Sequence, residues 1–215
     1  MTDAHPTEVA MLNLDGLIEV IAALPVGEQR FVVALAGPPA GGKSTVAAAI
    51  HAALPERTAV LGLDAFHFDD AILIEREHRD RKGAPFTFDV DGYRRCLTAL
   101  IEGAGTEIAV PVFDRELELS RNGAEIVSAS CDVVVTEGNY LLLDTDGWSS
   151  LAALFDMTVF VEVPMGIVRE RILERWHTHG FSPTEAQARF DHNDGPNAET
   201  VLQASRRADY HIETS

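Results

Sequence analysis

The run Gly37-Pro38-Pro39-Ala40-Gly41-Gly42-Lys43-Ser44 follows the spacing Gly-x-x-x-x-Gly-Lys-Ser, and Thr45 comes next. Glycines at this spacing let backbone N–H groups turn inward around a phosphate. A helix beginning there aims its positive end at the same anion. The Lys43 ammonium suits the β- and γ-phosphates of a nucleoside triphosphate, and the Ser44 hydroxyl suits a Mg²⁺ ion held with them. Gly37, Ala40, Gly41, Gly42, Lys43, Ser44 and Thr45 are therefore the expected nucleotide-binding residues.

Further chemistry lies at strand ends. Glu137 closes the apolar run Val133-Val134-Val135-Thr136, where ligands bind in open α/β sheets, and it is an expected partner of Mg²⁺ or its waters. Asp64 ends another apolar run and reads equally as the acceptor of a hydroxyl proton or as a helix N-cap. His67 reads as a substrate contact or as a packed structural histidine. Arg81-Lys82-Gly83-Ala84-Pro85 is a basic cluster that suits an anionic or polyhydroxyl substrate, or a solvated turn. Asp114 and Arg115 carry the same ambiguity. Arg171 and Arg175 lie one turn apart on an expected helix; they could close over phosphates as a lid or belong to a surface laced with ion pairs. His177 and His179 lack companions for a zinc site.

The elements that must position these groups alternate. Residues 31–36 form a continuous apolar run, expected as a strand buried on both faces, and the Ala-rich stretch 46–54 reads as the helix after the loop. Apolar residues at Met11, Leu14, Leu17, Ile18 and Ile21 predict a helix over 11–24, ended by Pro25 and Gly27. Strands are expected at 58–63, 132–137, 157–163 and 210–212, and helices at 90–101, 148–155, 167–176 and 198–207. Residues 107–112 and 124–127 read as a hairpin across a polar loop at 114–123, and 180–196 as a polar, turn-rich segment. The fold class expected is α/β: a P-loop NTPase fold, one domain over 1–215, with a mostly parallel central sheet, helices on both faces and a small lid at about 169–196.

Composition narrows the partners. The chain has 215 residues, 46% of them hydrophobic, and a formal net charge of −17. Such a surface repels nucleic acid and anionic membranes and favours a small-molecule partner. Two lone cysteines, Cys96 and Cys131, suit reduced thiols in a cytoplasm, and the N-terminal residues show no targeting pattern. No apolar run is long enough to cross a bilayer.

GPPAGGKST, LDAFHFDD, RKGAPFTFD, PVFDR, VVVTEGNYLLLD, RERILERW and NDGPNA occur in that order. From residue 31 onward the chain resembles the P-loop small-molecule kinases grouped with uridine kinase, type I pantothenate kinase and phosphoribulokinase. It resembles in particular a bacterial subgroup labelled fructose transport system kinase. The resemblance implies Asp64 as catalytic base, Lys43 and Ser44 on phosphate and metal, Glu137 as second acidic magnesium residue, and Arg171 and Arg175 as lid arginines. His67, Arg81, Lys82, Arg115 and Asn139 fall in the segments that would meet the acceptor. Gly83 stands where uridine kinases carry a ribose-binding carboxylate, and Phe113 replaces a tyrosine common in the relatives; both count against uridine. The expectation is an ATP- and Mg²⁺-dependent transfer of phosphate to a hydroxyl of a small metabolite, in a cytoplasmic enzyme whose relatives are often dimers or tetramers. An ATP sensor without turnover is the alternative; a GTPase is disfavoured because no Asn-Lys-x-Asp motif occurs.

Overall fold

A computed structural model gives the structure and describes residues 9–145 and 147–214. The chain order is β1 (Ala10–Leu12), α1 (Leu14–Ala22), β2 (Phe31–Ala36), α2 (Lys43–Ala53), β3 (Thr58–Gly62), α3 (Asp70–Glu75), α4 (Val90–Glu102), β4 (Ile108–Asp114), β5 (Leu119–Val127), β6 (Val133–Gly138), β7 (Met157–Glu162), α5 (Met165–Thr178), α6 (Pro183–Arg189), α7 (Gly195–Ala204) and β8 (Tyr210–Glu213). Six strands form one sheet in the order β1-β8-β7-β2-β6-β3, with every pairing parallel. β4 and β5 form a separate antiparallel hairpin.

The central strands β2, β3, β6 and β7 are largely apolar because both faces of the sheet are covered there. Alternate residues of β2 divide between two cores. Val33 and Leu35 pack with Leu17 and Ile21 of α1, Val46 and Ile50 of α2, and Val168 and Ile172 of α5. Val32 and Ala34 pack with Tyr93 and Leu97 of α4 and with Tyr140 and Leu141. β2 sits between β6 and β7: the chain reaches it from β1 on the β7 side and leaves it for β3 on the β6 side. A crevice at the carboxyl ends of the strands follows at that switch point.

The structure moves four expected boundaries. The helix predicted over 11–24 begins at Leu14, because the Asn13 side chain caps it from the Gly16 N–H at 2.8 Å; residues 10–12 instead pair with β8. The polar loop expected at 114–123 is mostly strand, with only residues 115–118 turning between β4 and β5. The ladder shifts register between Val110 and Val112, where Pro111 has no N–H to donate. The segment 180–196 is helical, not turn-rich. Ser182 and Glu185 form a capping box with Pro183 in the first turn of α6, and Gly195-Pro196 opens α7. These residues start helices here, although they punctuate loops elsewhere. As a result α7 begins three residues before the expected 198 and stops at Ala204.

Arg30 is the structural residue that periodicity does not reveal. It is 1% exposed and precedes β2. Its guanidinium donates to the carbonyls of Cys131, Leu100, Gly103, Thr106 and Ser128 at 2.7–3.0 Å. It thereby satisfies the end of α4 and the loops before β4 and β6, at the end of β2 remote from Lys43. Arg30→Met should leave these buried carbonyls without donors and cost about 3 kcal/mol or more. Thermal unfolding should show a fall of roughly 10 °C, with nucleotide affinity within about twofold of the parent.

Candidate active site

β2 delivers the chain to the loop at residues 37–42, and α2 starts at Lys43. The turn into α2 runs through Gly42 at φ 90°, a left-handed conformation that a side chain would strain. Ala40 adopts φ 56° beside it. The N–H groups of Lys43, Ser44 and Thr45 have no acceptor among the described residues. They form a cradle of free donors at the positive end of a helix, which fits an anion.

Lys43 is 6% exposed. Its ammonium donates to the Pro38 carbonyl at 2.8 Å and to Asn139 Oδ1 at 2.7 Å, both neutral. Burial pushes its pKa down, and the negative charges of Glu137 and Asp64 oppose that shift. Glu137, at the carboxyl end of β6, is pushed the other way by burial, with the Lys43 charge opposing. The Asp64 charge acts on Glu137 as well. The charges of Glu137, at the end of β6, and of Asp64, in the turn after β3, thus both act on the buried cation. The Ser44 hydroxyl donates to Glu137 Oε1 at 3.0 Å, so a hydroxyl and a carboxylate oxygen meet at the mouth of the cradle. Hard oxygen donors of this kind suit Mg²⁺, which keeps waters and phosphate oxygens as its remaining ligands. No group of three or more His, Cys, Asp or Glu side chains gathers as a metal site among the described residues.

Asp64 lies in a 3-10 turn, Leu63–Phe66, directly after β3. Its carboxylate caps no helix. It accepts from Arg115 Nη2 at 2.9 Å and is one-third exposed. Arg115 reaches it from the turn of the β4–β5 hairpin, which folds over the 3-10 turn and is tied to it by Ser120 Oγ on the Ala65 carbonyl. His67 packs on Phe88 at 3.9 Å and near Phe113 at 5.5 Å, and its Nδ1 meets the Asp64 carbonyl at 2.9 Å. Burial pushes its pKa down, so the ring is neutral at pH 7. A cavity of about 80 Å³ opens beside it, lined by Phe68, Lys82, Phe113 and Ser120 among others.

The chain has only two lysines, Lys43 and Lys82. Lys82 is held by Asp70 at 2.8 Å and the Glu118 carbonyl at 2.8 Å, with Phe113 at 5.5 Å. Arg81 donates through Nε to Asn193 at 3.1 Å. Arg171 donates to the Ala40 carbonyl of the loop at 3.3 Å. Arg175 is paired with Asp194 at 3.3 Å, yet its charge still reaches Lys43. Asn139, expected among the acceptor contacts, accepts from the Lys43 ammonium through Oδ1. Sequence reading gave no role to Asn193, Asp194, Tyr140 or Thr214. Tyr140 donates to the Gly83 carbonyl at 2.7 Å, and Thr214 to the Gly41 carbonyl at 2.8 Å. Only the polar pair before Gly195-Pro196 was visible as a signal. A groove of about 920 Å³ along β7 and β8 is larger, but it contains none of Lys43, Asp64 and Glu137.

With that geometry in place, known proteins can be set beside it. Residues 32–179 match the phosphoribulokinase/uridine kinase family. The Escherichia coli (strain K12) uncharacterised protein YggC is 36% identical over 204 residues, spanning 92% of this chain and 84% of that one. A candidate uridine kinase of Schizosaccharomyces pombe is 30% identical over 183 residues, or 78% and 76% of the two chains. The crystal structure of a candidate fructose transport system kinase from Silicibacter sp. TM1040 superposes with a TM-score of 0.87 at 38% identity, covering 93% of this chain and 98% of the other. No helix among the described residues is long and apolar enough to cross a membrane. A six-stranded parallel sheet around a phosphate loop, a matching family over more than half the sequence and relatives along nearly all of it lead to one statement: the chain belongs to the phosphoribulokinase/uridine kinase family, the P-loop kinases of small metabolites.

Proposed function

We propose that the chain moves the γ-phosphoryl group of ATP to a hydroxyl of a small metabolite, with Asp64 as the residue that receives the hydroxyl proton. The observation that carries this reading is the phosphate cradle itself: N–H groups with no acceptor among the described residues open α2 beside the buried Lys43, and the Ser44 hydroxyl donates to Glu137 at 3.0 Å, with Asp64 in the turn after β3. The roles follow from placement. Lys43 and the free N–H groups of α2 hold the triphosphate. Ser44 and Glu137 hold the metal side. Mg²⁺, when bound there, neutralises charge on the phosphate oxygens. Arg171 beside Ala40 and Arg175 one turn further along α5 face the transferring charge.

Asp64 takes the acceptor's proton as the acceptor oxygen bonds to the γ-phosphorus and the β–γ bridging oxygen leaves with ADP. Arg115 aims that carboxylate by donating to one of its oxygens, and the other oxygen receives the incoming hydroxyl. His67, Arg81 and Lys82 form the acceptor wall, and catalysis is chiefly positioning and electrostatics. The relatives named for uridine and fructose supply the first acceptors to test, alongside pantothenate. Gly83 offers no carboxylate to a ribose, so sugars and vitamin precursors rank ahead of uridine. The net charge of −17 suits a cytoplasmic enzyme acting on a small molecule.

Asp64→Asn should bind Mg·ATP as the parent does and lose about 10²–10⁴ in kcat. An unchanged kcat with the true acceptor contradicts the assignment. Glu137→Gln should raise the Mg²⁺ concentration for half-maximal turnover about tenfold, and EDTA should stop turnover in both proteins. Acceptor-stimulated ADP release across sugars, nucleosides and vitamin precursors identifies the substrate. Tight ATP binding with no stimulation by any of them would instead favour the sensor reading.

A further inference from the structure

The block Asn193-Asp194-Gly195-Pro196-Asn197-Ala198 stands out in the sequence, and phosphate transfer as described above gives it no task. In the structure it carries a π-helical turn, Phe190–Asp194, inserted between α6 and α7. The Gly195 N–H donates to the Phe190 carbonyl five residues back. A Cβ on Gly195 would lie 3.0 Å from that carbonyl oxygen and 3.0 Å from the Phe190 ring, so the turn tolerates little else there. Such insertions in helices are frequent at functional sites because they re-aim side chains.

Two adjacent residues of this turn each hold one arginine. Asp194 is 8% exposed; it accepts from Arg175 at 3.3 Å and from Trp176 Nε1 at 2.8 Å. Asn193 accepts from Arg81 Nε at 3.1 Å and donates to the Lys82 carbonyl at 2.8 Å. Asn197, one turn on, braces the Asn193 oxygen at 3.1 Å. The two arginines face different parts of the cleft. The Arg175 charge reaches Lys43 in the phosphate cradle. Arg81 directly precedes Lys82, which lines the cavity beside His67, so this segment stands on the acceptor side. The terminal nitrogens of Arg81 have no acceptor among the described residues. Its Nε is anchored while its outer edge stays available.

We propose that Asn193 and Asp194 are a coupling pair: nucleotide bound against Arg175 fixes the π turn, which fixes residues 79–84 and sets Arg81 and Lys82 to receive the acceptor. The inference rests on the phosphotransfer reading and adds to it an order of events, with triphosphate preparing the acceptor wall. Asn193 is a positioning residue. It touches neither substrate and acts through Arg81 and the Lys82 carbonyl. A mere brace would hold 79–84 equally with and without nucleotide. A coupler makes the hold depend on it.

Hydrogen–deuterium exchange with and without Mg²⁺ and AMP-PNP separates these, read over the P-loop and over residues 79–87. Nucleotide affinity is followed in parallel by Trp176 fluorescence. In the parent, AMP-PNP should slow exchange in both segments, by about fivefold in 79–87. In Asn193→Ala the P-loop protection and the affinity should persist while the protection of 79–87 is lost. If Asn193→Ala fails to fold, Asn193→Ser takes its place with the same expectation, since its shorter side chain reaches neither Arg81 nor the Lys82 carbonyl. Protection of 79–87 that is absent in the parent, or equal in parent and variant, overturns the coupling and leaves the kinase reading intact. No binding of AMP-PNP at all sinks the nucleotide reading, and the coupling with it.

Discussion

A single ammonium group taken out of water organises this molecule. Lys43 is nearly inaccessible, and its direct partners are two neutral oxygens. An unpaired buried cation is costly, so the protein sets negative charge within reach while leaving the contact positions to a ligand. Glu137 and Asp64 supply that charge from the ends of β6 and β3. The free N–H groups of α2 point the same way. Such a site is preorganised for an anion, with both acids reaching it from the β6–β3 side of β2. The sheet order serves this arrangement: only a strand flanked by β6 on one side and β7 on the other presents its loop to acids and arginines together.

The β4–β5 hairpin and the π turn act on this centre from opposite sides. The hairpin brings Arg115 onto the Asp64 carboxylate, and the turn brings Asp194 onto Arg175. In each case a charge near the cradle is held by a partner of opposite sign. The Arg115–Asp64 pair is solvated, so it is weak and easily exchanged. Asp194 is more deeply buried, and burial raises its pKa while the Trp176 indole and the Arg175 charge lower it. The first pair suits an exchange during turnover and the second a standing hinge.

Much of this was legible in residue order, for a physical reason. A strand covered on both faces must be apolar along its length, and β2, β3, β6 and β7 were therefore visible as unbroken runs. The glycine–lysine–serine loop was visible because phosphate contact needs those residue types at that spacing. What escaped depends on long-range partners. Arg30 reads as an ordinary charge before a strand, and its five carbonyl acceptors come from segments 70 to 101 residues away. The three residues of β1 are a strand only because β8 lies beside them. Residues 180–196 read as turns because Gly and Pro, which break helices internally, also begin them. Asp64 could not be separated from a helix cap until the hairpin was seen to deliver Arg115 to it.

The most direct test of the central claim is a crystal structure of the chain with Mg²⁺, ADP and aluminium fluoride, which together mimic the transferring phosphoryl group. The account predicts the fluoride centre between Lys43 and the Asp64 carboxylate, with that carboxylate within about 3.2 Å of the apical oxygen. Density for the phosphates away from the cradle, or an Asp64 side chain turned from the apical oxygen, would contradict it.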